Sequence, residues 1–294
     1  MEFSPLKLQD LEQVRPFFQL TKSRTCDFSA GGMFMWRDYF RMEFCIEHKT
    51  LFTKLKNAAG ETFFTVPIGG DEGQGLDQIR TYCREAGLPC RLCTVPAEYL
   101  RNLADHFQEL NILQQPEYAD YLYLAADLAN FQGKKFGGQR NHLRKFLNTN
   151  PGWTFQELTQ ADIPEILRFL ERCFRLDALS FQSAREEEKM TLEVLNNYAL
   201  YGMTGAVLRV DGEIIGFTLG EIIRDTLLLH IEKADRNYPG AYQMIVNQFA
   251  LRAVEKGIVY INREEDMGDP GLRYSKLSYN PVTSLKKYVV EVMA

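Results

Sequence analysis

No stretch of this chain reaches the run of about 18 apolar residues that a helix needs to cross a bilayer, which excludes a membrane-spanning helix. The opening residues, MEFSPLKLQDLEQVRPFF, lack the basic cluster and apolar run of a secretory signal. A cytoplasmic location is therefore expected. Excess positive charge is missing too. The formal net charge is −5, so any hold on nucleic acid must come from a local patch. Cysteine motifs are sparse. Of six cysteines only Cys90 and Cys93 make a C-x-x-C, no second pair supports it, and the nearest histidine is His106. The thiols are read as reduced and partly buried, and no metal is expected.

What remains is an ordinary globular composition, 45% hydrophobic and 25% charged over 294 residues. That length suggests about two domains, each large enough for its own core. The second half alternates strands and helices. GAVLRVDGEIIGFTLGEII reads as two apolar runs turned at Asp211-Gly212, a strong hairpin signal. TLLLHIEKA is a further strand, DRNYPGAY a breaker cluster, and AYQMIVNQFALRAVEKG a helix with apolar residues at helical spacing, stopped by Gly257. IVYIN is a strand, DPGLRYSKL opens a helix on Pro270, and SLKKYVVEVM alternates as a final strand. The first half repeats the plan more faintly: a hairpin around Ala59-Gly60, the helix LDQIRTYCREAG, the strand LPCRLCTVP. A polar Pro/Gly break at NTNPGW divides the chain into expected domains 1–150 and 151–294. The fold class is α/β (α+β): two tandem units, each a twisted mixed sheet flanked by helices.

This order of elements resembles the GNAT acyltransferase fold. DRNYPGAYQMI stands where that fold has its pyrophosphate loop, with Pro239 in place of the first glycine, and RYSKLSY resembles the end of its final helix. The segments CDFSAGGMFMWRDYF, DYLYLAADLANFQGKKFGGQRNHLRKF and NREEDMGDPGLRYSKLSYNP together resemble the tandem-GNAT family that includes the C-terminal domain of phosphatidylglycerol lysyltransferases. The Fem aminoacyltransferases are more distant relatives of that pattern. The resemblance implies transfer of an acyl or aminoacyl group from a carrier.

Several residues are candidates for that chemistry. The turn after TLLLHIEKA leads into a helix N-terminus, whose unpaired amides suit an anion. Arg236, Asn237, Gly240, Ala241 and Tyr242 are the carrier-binding candidates, with Gly240 allowing close approach of a phosphate. Glu232 is the candidate proton acceptor for an attacking amine. Alternation places it on one face with His230, and Glu221 on the neighbouring strand is the reserve. The resemblance implies Tyr274 as general acid and Lys276 at a phosphate or developing oxyanion, with Tyr279 as packing. GKKFGGQRNHLRKF carries Lys134, Lys135, Arg140 and Arg144 with no acid, a candidate contact for tRNA, CoA or an anionic head group. The expected partners are acyl-CoA or aminoacyl-tRNA and an amine or hydroxyl acceptor. Direct attack is expected, because no cysteine or serine has an evident paired base. The alternative is a sensor or scaffold that keeps the fold and binds CoA or tRNA without catalysis.

Overall fold

The computed structural model describes residues 1–176 and 182–293. Early elements are strands β1 (Ser4–Pro5), β2 (Glu43–Glu47), β3 (Thr50–Lys56), β4 (Thr62–Phe64), β5 (Ile68–Gly69), β6 (Cys90–Pro96) and β7 (Leu110–Gln114), with helices α1 (Leu11–Phe18), α2 (Glu72–Ala86) and α3 (Leu100–His106). Then come β8 (Asp120–Leu124), α4 (Ala125–Asn130), α5 (Gly137–Thr149), β9 (Trp153–Glu157), α6 (Ile163–Leu176), α7 (Gln182–Asn196), α8 (Tyr198–Tyr201), β10 (Thr204–Val210), β11 (Glu213–Ile223) and β12 (Thr226–Ala234). The last are α9 (Ala241–Glu255), β13 (Tyr260–Asn262), α10 (Pro270–Ser278), β14 (Thr283–Leu285) and β15 (Lys287–Val292). Among the described residues no helix is long and apolar enough to cross a membrane.

Two mixed sheets result, as the α/β reading requires. One has the order β1-β2-β3-β4-β6-β15-β7 with β5 on β3, and the other β14-β8-β13-β12-β11-β10-β9. The compact units are residues 1–120 with 265–270 and the chain from Ser284 onward, and residues 121–264 with 271–283. They differ from the expected 1–150 and 151–294 because two strands change sides. β15 pairs antiparallel with both β6 and β7 and so completes the first sheet. β8 pairs with β13 in the second. The sequence pattern of a strand states which face is apolar, not which sheet takes it.

The second unit holds the site, and local chemistry builds its frame. β10 and β11 meet at Val210↔Glu213 across the two residues Asp211 and Gly212, whose φ of 51° and 88° suit a hairpin turn with the sheet's own twist. α9 buries Met244, Ile245, Val246, Phe249, Ala250 and Ala253. Phe249, Tyr123, Phe131, Phe136, Leu227 and Tyr279 share one core cluster. Each large side chain so buried contributes about 1.5–3 kcal/mol of transfer free energy. β12 and β13 pair in parallel, with Leu228 opposite Asn262, so the residues that follow β13 run on beside the second half of β12.

Candidate functional site

The polar end of β12 carries two separate networks. His230 is the extra residue of a bulge, since Leu219 pairs with Ile231 and Gly220 with Leu229. Strict alternation ends there, so His230 and Glu232 have different partners rather than a shared one. The His230 imidazole, with a side chain 1% exposed, lies between two carboxylates: Nε2 is 2.9 Å from Glu221 Oε1 and Nδ1 2.7 Å from Glu264 Oε1. Both ring nitrogens donate only in the imidazolium. Burial pulls its pKa down, but the bonds and charges of Glu221 and Glu264 outweigh it and hold the ring at about 10. The folded value thus lies above the ordinary 6.5, so the stabilisation is complete below about pH 6.5 and lost as the pH rises through about 10. We expect the melting temperature to fall across that window, with a shallower fall in His230→Gln, measured by calorimetry at stepped pH. Parallel slopes would refute the assignment.

Beyond Ala234 the chain turns sharply. The Asn237 amide donates to Asp235 Oδ1 at 2.8 Å, the Tyr238 amide to the Asp235 carbonyl at 3.1 Å, and the Ala241 amide to the Tyr238 carbonyl at 3.0 Å. α9 then starts, with the Met244 amide returned to the Gly240 carbonyl at 2.9 Å. The amides of Tyr242 and Gln243 are the donors such a first turn leaves over. Gly240 has φ 94°, and a Cβ there would stand 2.4 Å from the His142 carbonyl oxygen and 3.0 Å from Phe146 Cβ. The glycine is therefore required by α5 packing against this turn, whatever approaches from outside.

A cavity of about 260 Å³ opens beside the turn. Arg236, Gly240, Ala241, Tyr242 and Gln243 line it, together with Glu232, Arg263, Ser275 and Tyr279. Glu232 Oε1 accepts from Arg263 Nη2 at 2.9 Å, with side chains 14% and 12% exposed. The Arg263 guanidinium lies 4.5 Å from the Tyr279 ring centroid and 5.9 Å from that of Tyr123. Burial works against its charge, yet Glu232 and the two phenols prevail and raise its pKa further. Burial also pushes the Tyr279 hydroxyl above the usual tyrosine range, so it stays protonated. Two atoms of this buried pair, Glu232 Oε2 and Arg263 Nη1, make no hydrogen bond among the described residues. Buried polar atoms are nearly always paired, so one leftover acceptor and one leftover donor set this pair apart from its surroundings.

The structure brings Glu232, Arg236, Gly240, Ala241 and Tyr242 together on the cavity. Asn237 instead serves the turn beside it. Tyr274 is 79% exposed and is not part of the cavity wall. Lys276 donates to the Arg263 carbonyl, while its own carbonyl accepts from the Tyr123 hydroxyl at 2.8 Å, so it anchors α10 beneath the site. In the basic segment, Arg140 donates to the carbonyls of Phe131 at 2.5 Å and Gly133 at 2.7 Å, closing the end of α4. Lys135 pairs with Asp127 at 3.0 Å, and Lys134 and Arg144 lie exposed. None of the four lines the cavity. Sequence reasoning missed Arg263, Gln243 and Ser275, and took Tyr279 for packing alone. One signal was available for Arg263: it follows IVYIN directly, at the end of the strand that runs parallel to the one bearing Glu232.

Residues 18–291 match the family model of the phosphatidylglycerol lysyltransferase C-terminal region. A crystal structure of a conserved protein of unknown function from Bacteroides thetaiotaomicron is 33% identical, covers 100% of both chains and superposes with a TM-score of 0.92. The structure of L-PGS from Bacillus licheniformis is 15% identical, with a TM-score of 0.66 over 95% of this chain and 91% of that one. FemX is 9% identical with a TM-score of 0.62, over 100% and 98% of the two chains. These two likenesses establish the shared fold. An uncharacterized protein of Mycoplasmoides gallisepticum is 26% identical over 179 residues, 59% of this chain and 56% of that protein, so the match spans little more than half of that relative.

Proposed function

Given that the chain belongs to the phosphatidylglycerol lysyltransferase C-terminal family, we propose that it moves an acyl or aminoacyl group from a phosphate-bearing carrier, acyl-CoA or aminoacyl-tRNA, to an amine or hydroxyl acceptor. The observation that carries this reading is the buried Glu232–Arg263 pair beside the first turn of α9, both residues lining the cavity and each with one atom that makes no hydrogen bond among the described residues. Glu232 Oε2 takes the proton from the attacking amine or hydroxyl. Arg263 Nη1 and the first-turn amides of α9 stabilise the oxyanion as the carbonyl becomes tetrahedral. Tyr279, protonated and on the cavity wall, donates to the leaving oxygen or sulfur, the role that the resemblance gave to Tyr274. Arg236 meets the carrier's phosphate at the cavity wall.

Carrier binding is tested by thermal shift with CoA, acetyl-CoA and bulk tRNA. Ligands that bind only the folded state raise the melting point with concentration over Kd. Arg236→Ala is expected to weaken the response roughly 10- to 100-fold in ligand concentration, the loss of one charge-assisted contact of about 1.5–3 kcal/mol. A CoA response identifies the acyl-CoA carrier and a tRNA response the aminoacyl one. No shift with any of them would overturn the proposal, and binding without transfer to any acceptor would leave a sensor.

A further inference from the structure

β7 ends the order of the first sheet, and no strand among the described residues pairs with its outer side. Two bonds fix which of its backbone groups face outward. The Gln115 amide donates to the Lys287 carbonyl at 3.0 Å, and the Met293 amide to the Glu109 carbonyl at 3.1 Å. Hydrogen-bonded pairs alternate along an antiparallel ladder, and β7 and β15 keep one register from Leu110↔Val292 to Gln114↔Tyr288. Asn111 and Leu113 therefore turn their amides and carbonyls toward β15. Leu110, Ile112 and Gln114 turn theirs outward.

This edge carries none of the usual protection. The strand reads LNILQ, with no charge, no proline and no bulge. Leu113 is 65% exposed and Ile112 43%, and alternation puts them on opposite faces. The other edge of the same sheet is blunted: β1 has two residues, one of them Pro5. An apolar strand bare on both faces and along its edge is a template for a further strand.

We propose that β7 is an interface between two copies of this chain, which pair their β7 strands antiparallel about a two-fold axis at Ile112. In that register Ile112 faces its own counterpart, and Leu110 of each copy faces Gln114 of the other. All three outward-facing residues then meet as hydrogen-bonded pairs, each exchanging both of its bonds. Asn111 faces Leu113 between them, and just beyond the strand Glu109 faces Gln115, so no like charges stand opposite one another. A charged strand would repel its own copy in this arrangement, and LNILQ does not. The contact is self-complementary and closes at two copies, leaving no open edge on that side.

The test is sedimentation velocity of the full chain from about 1 μM to 1 mM, the Kd range of a small interface. We expect a concentration-dependent shift from one chain mass to two. Ile112→Pro removes both bonds donated at the axis and none to β15, so it should weaken the dimer roughly 5- to 150-fold. Ile112→Lys sets two ammonium groups opposite each other and should act in the same direction. Circular dichroism checks that both variants fold. Amide exchange of the parent needs no variant: Leu110, Ile112 and Gln114 should slow as the concentration rises, while Asn111 and Leu113, already bonded to β15, should not change. A parent that stays monomeric at about 1 mM would overturn the proposal and leave the edge to an extended segment of another protein. So would a dimer that persists in both variants, or one in which the Ile112 amide exchanges as fast as in the monomer.

Discussion

Glu232→Gln is expected to lower turnover by roughly 10²–10⁴-fold, the usual contribution of a positioned general base, while carrier binding persists. That range corresponds to about 3–5 kcal/mol of transition-state stabilisation. The substitution keeps the shape and the acceptor that meets Arg263 Nη2, and removes the capacity of Oε2 to take a proton. It also strips the buried guanidinium of its counter-charge, so the variant will melt lower than the parent. Turnover is therefore compared below both melting transitions, with near-UV circular dichroism and carrier thermal shift confirming a folded chain. Arg263→Lys is the companion. It keeps the charge and loses the planar fork, so it should retain most of the stability and lose activity. If Glu232→Gln binds carrier and turns over at the parental rate, the base lies elsewhere.

A second large effect is expected in the first unit. Lys287, 1% exposed at the head of β15, has Nζ 2.8 Å from Asp27 Oδ2, 2.7 Å from Asp120 Oδ1 and 3.6 Å from Glu265 Oε2, with Cys26 Sγ at 3.4 Å. Cys26, Asp120 and Glu265 have the spacing of a metal-ligand set, and the ammonium supplies the positive charge among them. Burial disfavours that charge, but Asp120 and Asp27 outweigh it and raise the Lys287 pKa well above the ordinary value. Lys287→Met leaves buried carboxylates without their cation and should cost about 3–5 kcal/mol. The deficit should shrink in acid. Burial already raises the Asp27 pKa although Lys287 pulls it down, so without the ammonium it rises further. A carboxylate with a raised folded pKa favours the folded state as the pH drops toward and below its unfolded value near 3.8. Urea midpoints of parent and variant should therefore converge as the pH is lowered from 7 toward 3.8. A gap independent of pH would show that lost packing, not charge, is the cause.

Local features of this chain were legible in its sequence, and pairings made at a distance were not. Asp211-Gly212 specifies its own turn, because the left-handed backbone it needs is a property of those two residues. α9 was readable from helical spacing, and the strand that carries Glu232 from its apolar run. Arg263 was not, since its role arises only when β12 and β13 pair in parallel. Tyr274 and Tyr279 look interchangeable as text, yet one lies open to solvent at 79% and the other is buried at 2%. Arg140 looked like a phosphate ligand because its charge is visible in sequence and the carbonyls it caps are not.

The place of β15 between β6 and β7 bears on how the chain is made. A ribosome produces β6 and β7 early, then the whole second unit, and only afterwards the strand that joins them. At about 5–20 residues per second the wait is on the order of ten seconds or more. Throughout it two strand edges in the nascent chain lack their neighbour and are open to pairing with other chains. The second unit is complete at residue 283, just ahead of β15, so the earlier-made half is the one whose strands wait longest for a neighbour.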